Sequence, residues 1–204
     1  SQNVFFRESF VDECAHAAGV DPLEYRLRLL GENGARGRRV LTELASACGW
    51  SRPRAADRFL GLAYHEGFGS ISAQAVEVSV AHSGAVHIER IVVVVDCGTA
   101  VNPANIRAQL EGGTLFALSA ALREEVTFDR GRQMARNFDR YPVLRIADAP
   151  PVEVRVLETP SAPIGGMGEV GVPPLAPALA NALFAATGIR VRRLPIAHAE
   201  IHWV

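Results

Sequence analysis

Hydrophobic and polar positions change their period along the chain. Over residues 3–18, Phe6, Phe10, Val11, Cys14 and Ala18 recur at helical spacing, and Gly19 supplies a stop. Asp21, followed by Pro22 and then Glu24, resembles a capping box and opens a second helix through LEYRLRLL, before Gly31. The glycine-rich, charged stretch GENGARGRR at 31–39 predicts an exposed loop, and a third helix runs from about Val40 to Cys48, stopped by Gly49. WSRPRAADR at 50–58 reads as a connector.

From about residue 60 the period becomes two. Val76, Val78 and Val80 alternate with Glu77 and Ser79, and Ser83-Gly84 separates this strand from AVHIERIVVVVD, so a hairpin is expected. Asn102 can cap a helix with Pro103 at its first position, extending to about Leu122. Gly112 and Gly113 inside that helix each cost about 1 kcal/mol relative to alanine, which suggests close packing against another backbone or a ligand. Strands are expected at about 123–129 and at 152–159, then a helix from near Pro174 to Gly188 and a short closing strand at 190–196. Hairpins mixed with helices predict an α+β fold: N-terminal helices, then a mixed or antiparallel sheet with packed helices. The chain divides into a helical segment with its connector, 1–58, and an α+β region, 59–204.

Composition narrows the function classes. With 49% apolar residues in 204, a core can form. Lys+Arg 21 against Asp+Glu 22 leaves no basic field, so nucleic acid is not an expected partner. The longest apolar runs fall far short of the roughly 18 residues of a membrane span. The first ten residues carry no targeting pattern and fit a start inside a longer polypeptide. Cys14, Cys48 and Cys97 are widely spaced, without the pairing an iron–sulfur or structural zinc site needs, and read as small buried residues.

The chemistry concentrates in GGMGEVGVPPLAP at 165–177, where one carboxylate, Glu169, sits among glycines, prolines and small apolar residues. The literal G-x-G-x-x-G of Gly166, Gly168 and Gly171 lacks the strand directly before it and the acidic residue about 20 positions on, so it is not a dinucleotide fingerprint. Its glycines do let backbone approach a ligand closely. Glu169 is either an exposed or backbone-capping acid, or a general base whose affinity for a proton is raised by Met167, Val170 and Val172 around it. Gln109 is either a surface residue of its helix or an amide able to hold a cofactor through two hydrogen bonds. His198, Glu200 and His202 alternate as ligands on one side of a strand would, but lack a further ligand, and no metal site is expected. Serine hydrolysis has no nucleophile elbow to support it.

Two long stretches carry a resemblance: VDCGTAVNPANIRAQLEGGTLFALSAAL and GGMGEVGVPPLAPALANALFAATGIRVRRLP. Together with the opening SQNVFFRESFVDECAHAAGVDPLEYRLRLL, they resemble the carboxy-terminal part of the molybdopterin-binding subunit of the xanthine dehydrogenase/aldehyde oxidase family, of the isoquinoline 1-oxidoreductase beta-subunit type. The resemblance covers nearly the whole chain. It implies that Glu169 is the catalytic base, and that Gln109 and Gly168 lie against a molybdenum cofactor of the molybdopterin type, in its cytosine dinucleotide form. It implies oxidation of a nitrogen heterocycle or an aldehyde with water-derived oxygen, and electron transfer to iron–sulfur clusters on a partner subunit. Relatives commonly have proline and threonine where Val170 and Val172 stand, so the loop's shape is expected to differ. Subunits of this kind are several hundred residues long, which implies that the remainder of the large subunit, or a separate chain supplying it, shares the cofactor. The alternative is a non-catalytic assembly or scaffold module. Both cytoplasm and periplasm are compatible.

Overall fold

The apolar run at 91–95 must be covered on both faces, and the fold is arranged around it. The computed structural model describes residues 1–81, 83–199 and 202–203. In chain order these form α1 (Gln2–Ala17), α2 (Pro22–Leu29), α3 (Ala35–Cys48), β1 (Arg58–Gly67), β2 (Ser70–Val80), β3 (Ala85–Asp96) and α4 (Pro103–Leu122). There follow β4 (Phe128–Asp129), β5 (Arg132–Gln133), β6 (Val152–Leu157), α5 (Leu175–Thr187) and β7 (His202–Trp203). β1, β2 and β3 are an antiparallel meander, β6 lies parallel on β3, and β7 pairs parallel with the start of β3. The expected α+β class, with a mixed sheet and packed helices, is what forms.

Alternation along each strand sends residues to two separate cores. Ile91, Val93 and Val95 join Val76 and Val78 beneath α4 and α5. Val92 and Val94 join Leu60, Leu62 and Ile71 against Val40, Leu41 and Leu44 of α3. A bulge adjusts this pattern: Glu77 pairs with Arg90 but Val78 with Ile88, so Glu89 is the extra residue, and Ile88 and Ile91 fall on one face. Among the described residues no helix is long and apolar enough to cross a membrane.

Four expectations are corrected. α1 buries Val4, Phe5, Glu8, Ser9, Asp12 and Ala15, while Phe6 and Phe10 are 62% and 64% exposed. Its inward face is charged because partners wait for it. Glu8 accepts from Arg26 Nε and from the Tyr64 amide, each at 2.9 Å, and Asp12 accepts from Arg190 at 2.7 Å. α3 begins at Ala35, inside the stretch expected to be a loop, because Arg36 reaches Asp96 at 2.8 Å and Gly37 sits where a Cβ would stand 2.6 Å from the Tyr64 hydroxyl. The strand expected at 123–129 shrinks to Phe128–Asp129, paired with Arg132–Gln133. Ahead of it Glu124 accepts from Tyr141 and Glu125 meets His198, side-chain ties that replace a ladder. No strand forms at 190–196: Arg190 and Arg192 turn instead to Asp12 and Glu13 on α1, and a 3-10 turn follows at Ile196–His198.

Candidate active site

α4 starts as its sequence directs, with Asn102 Oδ1 accepting from the Asn105 amide at 3.2 Å and Pro103 in the first turn. It buries Ile106, Leu110, Thr114, Ala117 and Leu118, which leaves Gln109, Gly112, Gly113 and Phe116 on one outward face at i, i+3, i+4 and i+7. Opposite lies the segment 165–174 that precedes α5. Gly168, Glu169 and Val172 from this loop and the four residues from α4 line one open cleft of about 450 Å³, with Ser1 at its edge. The structure therefore brings together the three residues singled out from sequence: Gln109, Gly168 and Glu169.

The glycines of the cleft divide by role. A Cβ on Gly112 or Gly168 would meet nothing within 4 Å, and one on Gly113 would meet only Val172 at 3.6 Å. Close backbone packing therefore does not account for Gly112 and Gly113; they leave the cleft floor bare. Gly165 is different, since a Cβ there would stand 2.1 Å from Ser70 Oγ. The carboxylate of Glu169 is exposed and accepts no hydrogen bond among the described residues, and Gln109 is exposed as well. Val170 points into the core and Met167 is half-buried beside Ser70, so of the three apolar residues expected to enclose Glu169 only Val172 lines the cleft with it.

What holds the loop was not evident from its own sequence. Ser70, Ser72 and Gln74 are fully buried on one face of β2. Ser70 Oγ donates to the Gly166 carbonyl at 2.9 Å, Ser72 Oγ to that of Val170 at 2.7 Å, and Gln74 Nε2 to that of Gly171 at 2.7 Å. The backbone adds Gly166 N–H to the Phe68 carbonyl at 2.8 Å and Gly165 N–H to that of Cys97 at 2.9 Å. The available signal was the polar series Ser70, Ser72, Gln74 giving way to Val76 and Val78 at the same period. Buried polar residues repeating every second position need acceptors, and a neighbouring loop is the natural source.

Asp96 anchors the other end. Its fully buried carboxylate accepts from Arg36, from Thr159 Oγ1 at 2.5 Å and from the Gly98 amide at 3.0 Å. Burial alone would raise its pKa, but these bonds and the Arg36 charge outweigh it and hold the carboxyl below its ordinary value. The turn at 97–98 and the chain entering the loop are thereby tied to α3. His198 is engaged with Glu125, and Glu200 lies outside the described residues. Among the described residues no three His, Cys, Asp or Glu side chains gather as a metal site, and the three cysteines are free, with Cys14 partly exposed.

Residues 36–150 match the family profile described as the molybdopterin cofactor-binding domain. Over 95% of its length the chain is 36% identical to a subunit of the nicotinate dehydrogenase of Pseudomonas putida. The chain belongs to the molybdopterin-binding subunits of the xanthine dehydrogenase/aldehyde oxidase family. Within that family it is also 35% identical, over 96% of its length, to the beta subunit of the isoquinoline 1-oxidoreductase of Brevundimonas diminuta. Quinoline 2-oxidoreductase from Pseudomonas putida 86 superposes on 62% of the chain with a TM-score of 0.57 and 30% identity. The chain spans only part of these relatives: 18% of the nicotinate dehydrogenase subunit, 25% of the isoquinoline subunit and 17% of the quinoline enzyme's chain. A molybdopterin-type cofactor fits the donor set of the cleft. Bare glycine floors, an exposed amide and a carboxylate suit a large hydrogen-bonding group that brings its own metal ligands, and Gln109, Gly112, Gly113 and Gly168 are the residues that would lie against it.

Proposed function

We propose that this chain supplies the general base of a molybdenum hydroxylase, with Glu169 as that base and Gln109 and Gly168 as cofactor contacts. The observation that carries the reading is the facing of Gln109 and Glu169 across one cleft with glycine on both walls. When bound, the molybdenum cofactor supplies the acceptor for the two electrons removed from the substrate. Glu169 accepts a proton as water-derived oxygen is delivered to an electron-poor carbon. Gln109 offers two amide donors and one acceptor group to orient the cofactor, and Gly168 lets backbone come close. Nitrogen heterocycles are the favoured substrate class, in keeping with the nicotinate, isoquinoline and quinoline enzymes among the relatives, and aldehydes are the second. The cytosine dinucleotide form of the cofactor, iron–sulfur clusters on a partner subunit, and a remaining portion of the large subunit that closes the cleft over Glu169 complete the proposal.

Glu169→Gln in the assembled protein tests it. The amide keeps size and hydrogen-bonding capacity but cannot take the proton, so turnover should fall by about 10²-fold or more while molybdenum per chain is unchanged. Unaltered turnover would leave the chain a scaffold module.

A further inference from the structure

Gln74 has no part in the chemistry above, yet among the described residues it is the one side chain hydrogen-bonded to both walls of the cleft. Its amide nitrogen donates to the Gly171 carbonyl at 2.7 Å on the loop and to Thr114 Oγ1 at 3.2 Å on α4. Both Gln74 and Thr114 are fully buried. A carbonyl oxygen can only accept, so the amide nitrogen, not the oxygen, must face Gly171, and Gln74 Oε1 has no partner among the described residues. Thr114 lies one residue beyond Gly113 and five beyond Gln109; Gly171 lies two beyond Glu169. The bridge thus joins the two segments right behind the residues that line the cleft.

Beside Glu169 the loop is packed through Val170 in the core and Gly171 against Leu110 of α4, but among the described residues it has few other hydrogen bonds to fix its path there. It is irregular from 158 to 174, and its local backbone bond, Val172 N–H to the Glu169 carbonyl at 2.9 Å, closes a turn without tying that turn to anything. Side-chain donors from β2 do the tying, at Gly166, Val170 and Gly171, on both sides of Glu169. Ser70 and Ser72 hold the loop to the sheet. Among the described residues only Gln74 also hydrogen-bonds α4.

We infer that Gln74 is a positioning residue that sets the separation of Gln109 and Glu169 across the cleft; this rests on the proposed roles of those two residues. A strand is the stiffest available support, and removing a buried donor leaves the Gly171 carbonyl without its bond, so loop and α4 relax apart. A displacement of about 1 Å at a reacting group is enough for roughly a 10²-fold loss of rate.

The experiment compares Gln74→Met, Thr114→Val and Ser79→Ala in the assembled molybdenum protein. Gln74→Met keeps length and loses both bonds. Thr114→Val keeps shape and loses only the α4 bond. Ser79→Ala removes a side-chain bond of the same strand, to Glu89 at 2.6 Å, well away from the cleft. Kinetics are read together with amide hydrogen exchange over 165–173. The expected result for Gln74→Met is kcat down by about 10- to 100-fold with KM within about threefold, and loop exchange at least tenfold faster while β1 and β2 stay protected. Thr114→Val should show a smaller fall in kcat with little change in loop exchange, and Ser79→Ala neither effect. Unchanged loop exchange in Gln74→Met, or an equal effect from Ser79→Ala, would overturn the inference. Failure of the Glu169 reading would be seen separately, as retained turnover in Glu169→Gln, because the exchange measurement does not depend on it.

Discussion

Gly61 on β1 and Ala182 on α5 are in backbone contact: a Cβ on Gly61 would stand 2.0 Å from the Ala182 amide nitrogen and 2.4 Å from the Ala178 carbonyl oxygen. α5 lies directly on the strand there, and Asn181 fixes it by donating to the Leu62 carbonyl at 3.0 Å. Gly61→Ala must therefore lift the helix that follows the Glu169 loop. A loss of about 1–3 kcal/mol is expected, seen as a fall in the thermal unfolding midpoint of about 2–4 °C per kcal/mol.

The buried charges of α1 give a second test. Arg26 donates from Nε to the Glu8 carboxylate and from Nη2 to the Glu8 carbonyl, both at 2.9 Å. Arg26→Met takes the buried cation from the Glu8 carboxylate and leaves it only half-exposed Arg7, at 3.2 Å, so it should cost about 2–4 kcal/mol. Adding Glu8→Gln should recover part of that loss, since the amide oxygen can still accept from Tyr64 and no charge stays stranded. A double-mutant cycle by urea unfolding measures the coupling.

Acid should act through Asp96. Its folded pKa lies below the unfolded value of 3.8, so its contribution to stability is complete above that value and is lost as pH falls through the lower folded value. Asp96→Asn removes the charge at every pH and should cost about 1–3 kcal/mol near neutrality. The gap between native and variant proteins in urea unfolding should narrow below about pH 4. A gap that stays constant to pH 2 would contradict the assignment.

Gln109 is exposed on α4, and Gln109→Ala should leave folding within about 0.5 kcal/mol. If Gln109 holds the cofactor, molybdenum per chain falls on dialysis of the variant while circular dichroism is unaltered. Equal retention by both proteins would remove Gln109 from the cofactor contacts.

The cysteines should label in order. Burial pushes the Cys48 thiol up to about 11, and burial beside Asp96 also raises that of Cys97. At pH 8 only about one Cys48 in 10³ would be thiolate even if it were reachable. Partly exposed Cys14 should react first with iodoacetamide, and Cys48 and Cys97 only on unfolding, as read by mass spectrometry.

Sequence pattern was most informative where one segment carries its own instructions. Asn102-Pro103 and Gly188 set the ends of α4 and α5, and the valines of β2 and β3 set the hairpin, because caps and alternation are local. It misled where burial depends on a distant partner. The face of α1 could not be read from hydrophobicity when Glu8 and Asp12 are buried by Arg26 and Arg190, and α3 extends through a glycine-rich stretch because Arg36 finds Asp96 sixty residues away. In the site, the motif singled out Gln109, Gly168 and Glu169, which the structure brings to one cleft. Their supports were not, since Ser70, Ser72 and Gln74 acquire a purpose only once the loop lies over β2.

The loop carrying Glu169 is gripped by its carbonyl oxygens, at Gly166, Val170 and Gly171. Every amino acid has that oxygen. The course of the loop is thus largely independent of which side chains stand at the exposed positions 168 and 169, and the acid can be exchanged for another group without redrawing the path that presents it. Glu169 is in this sense interchangeable cargo on a fixed carrier. Under the proposed roles, point substitutions there report on reactivity, whereas substitutions on β2 report on where that reactivity is aimed.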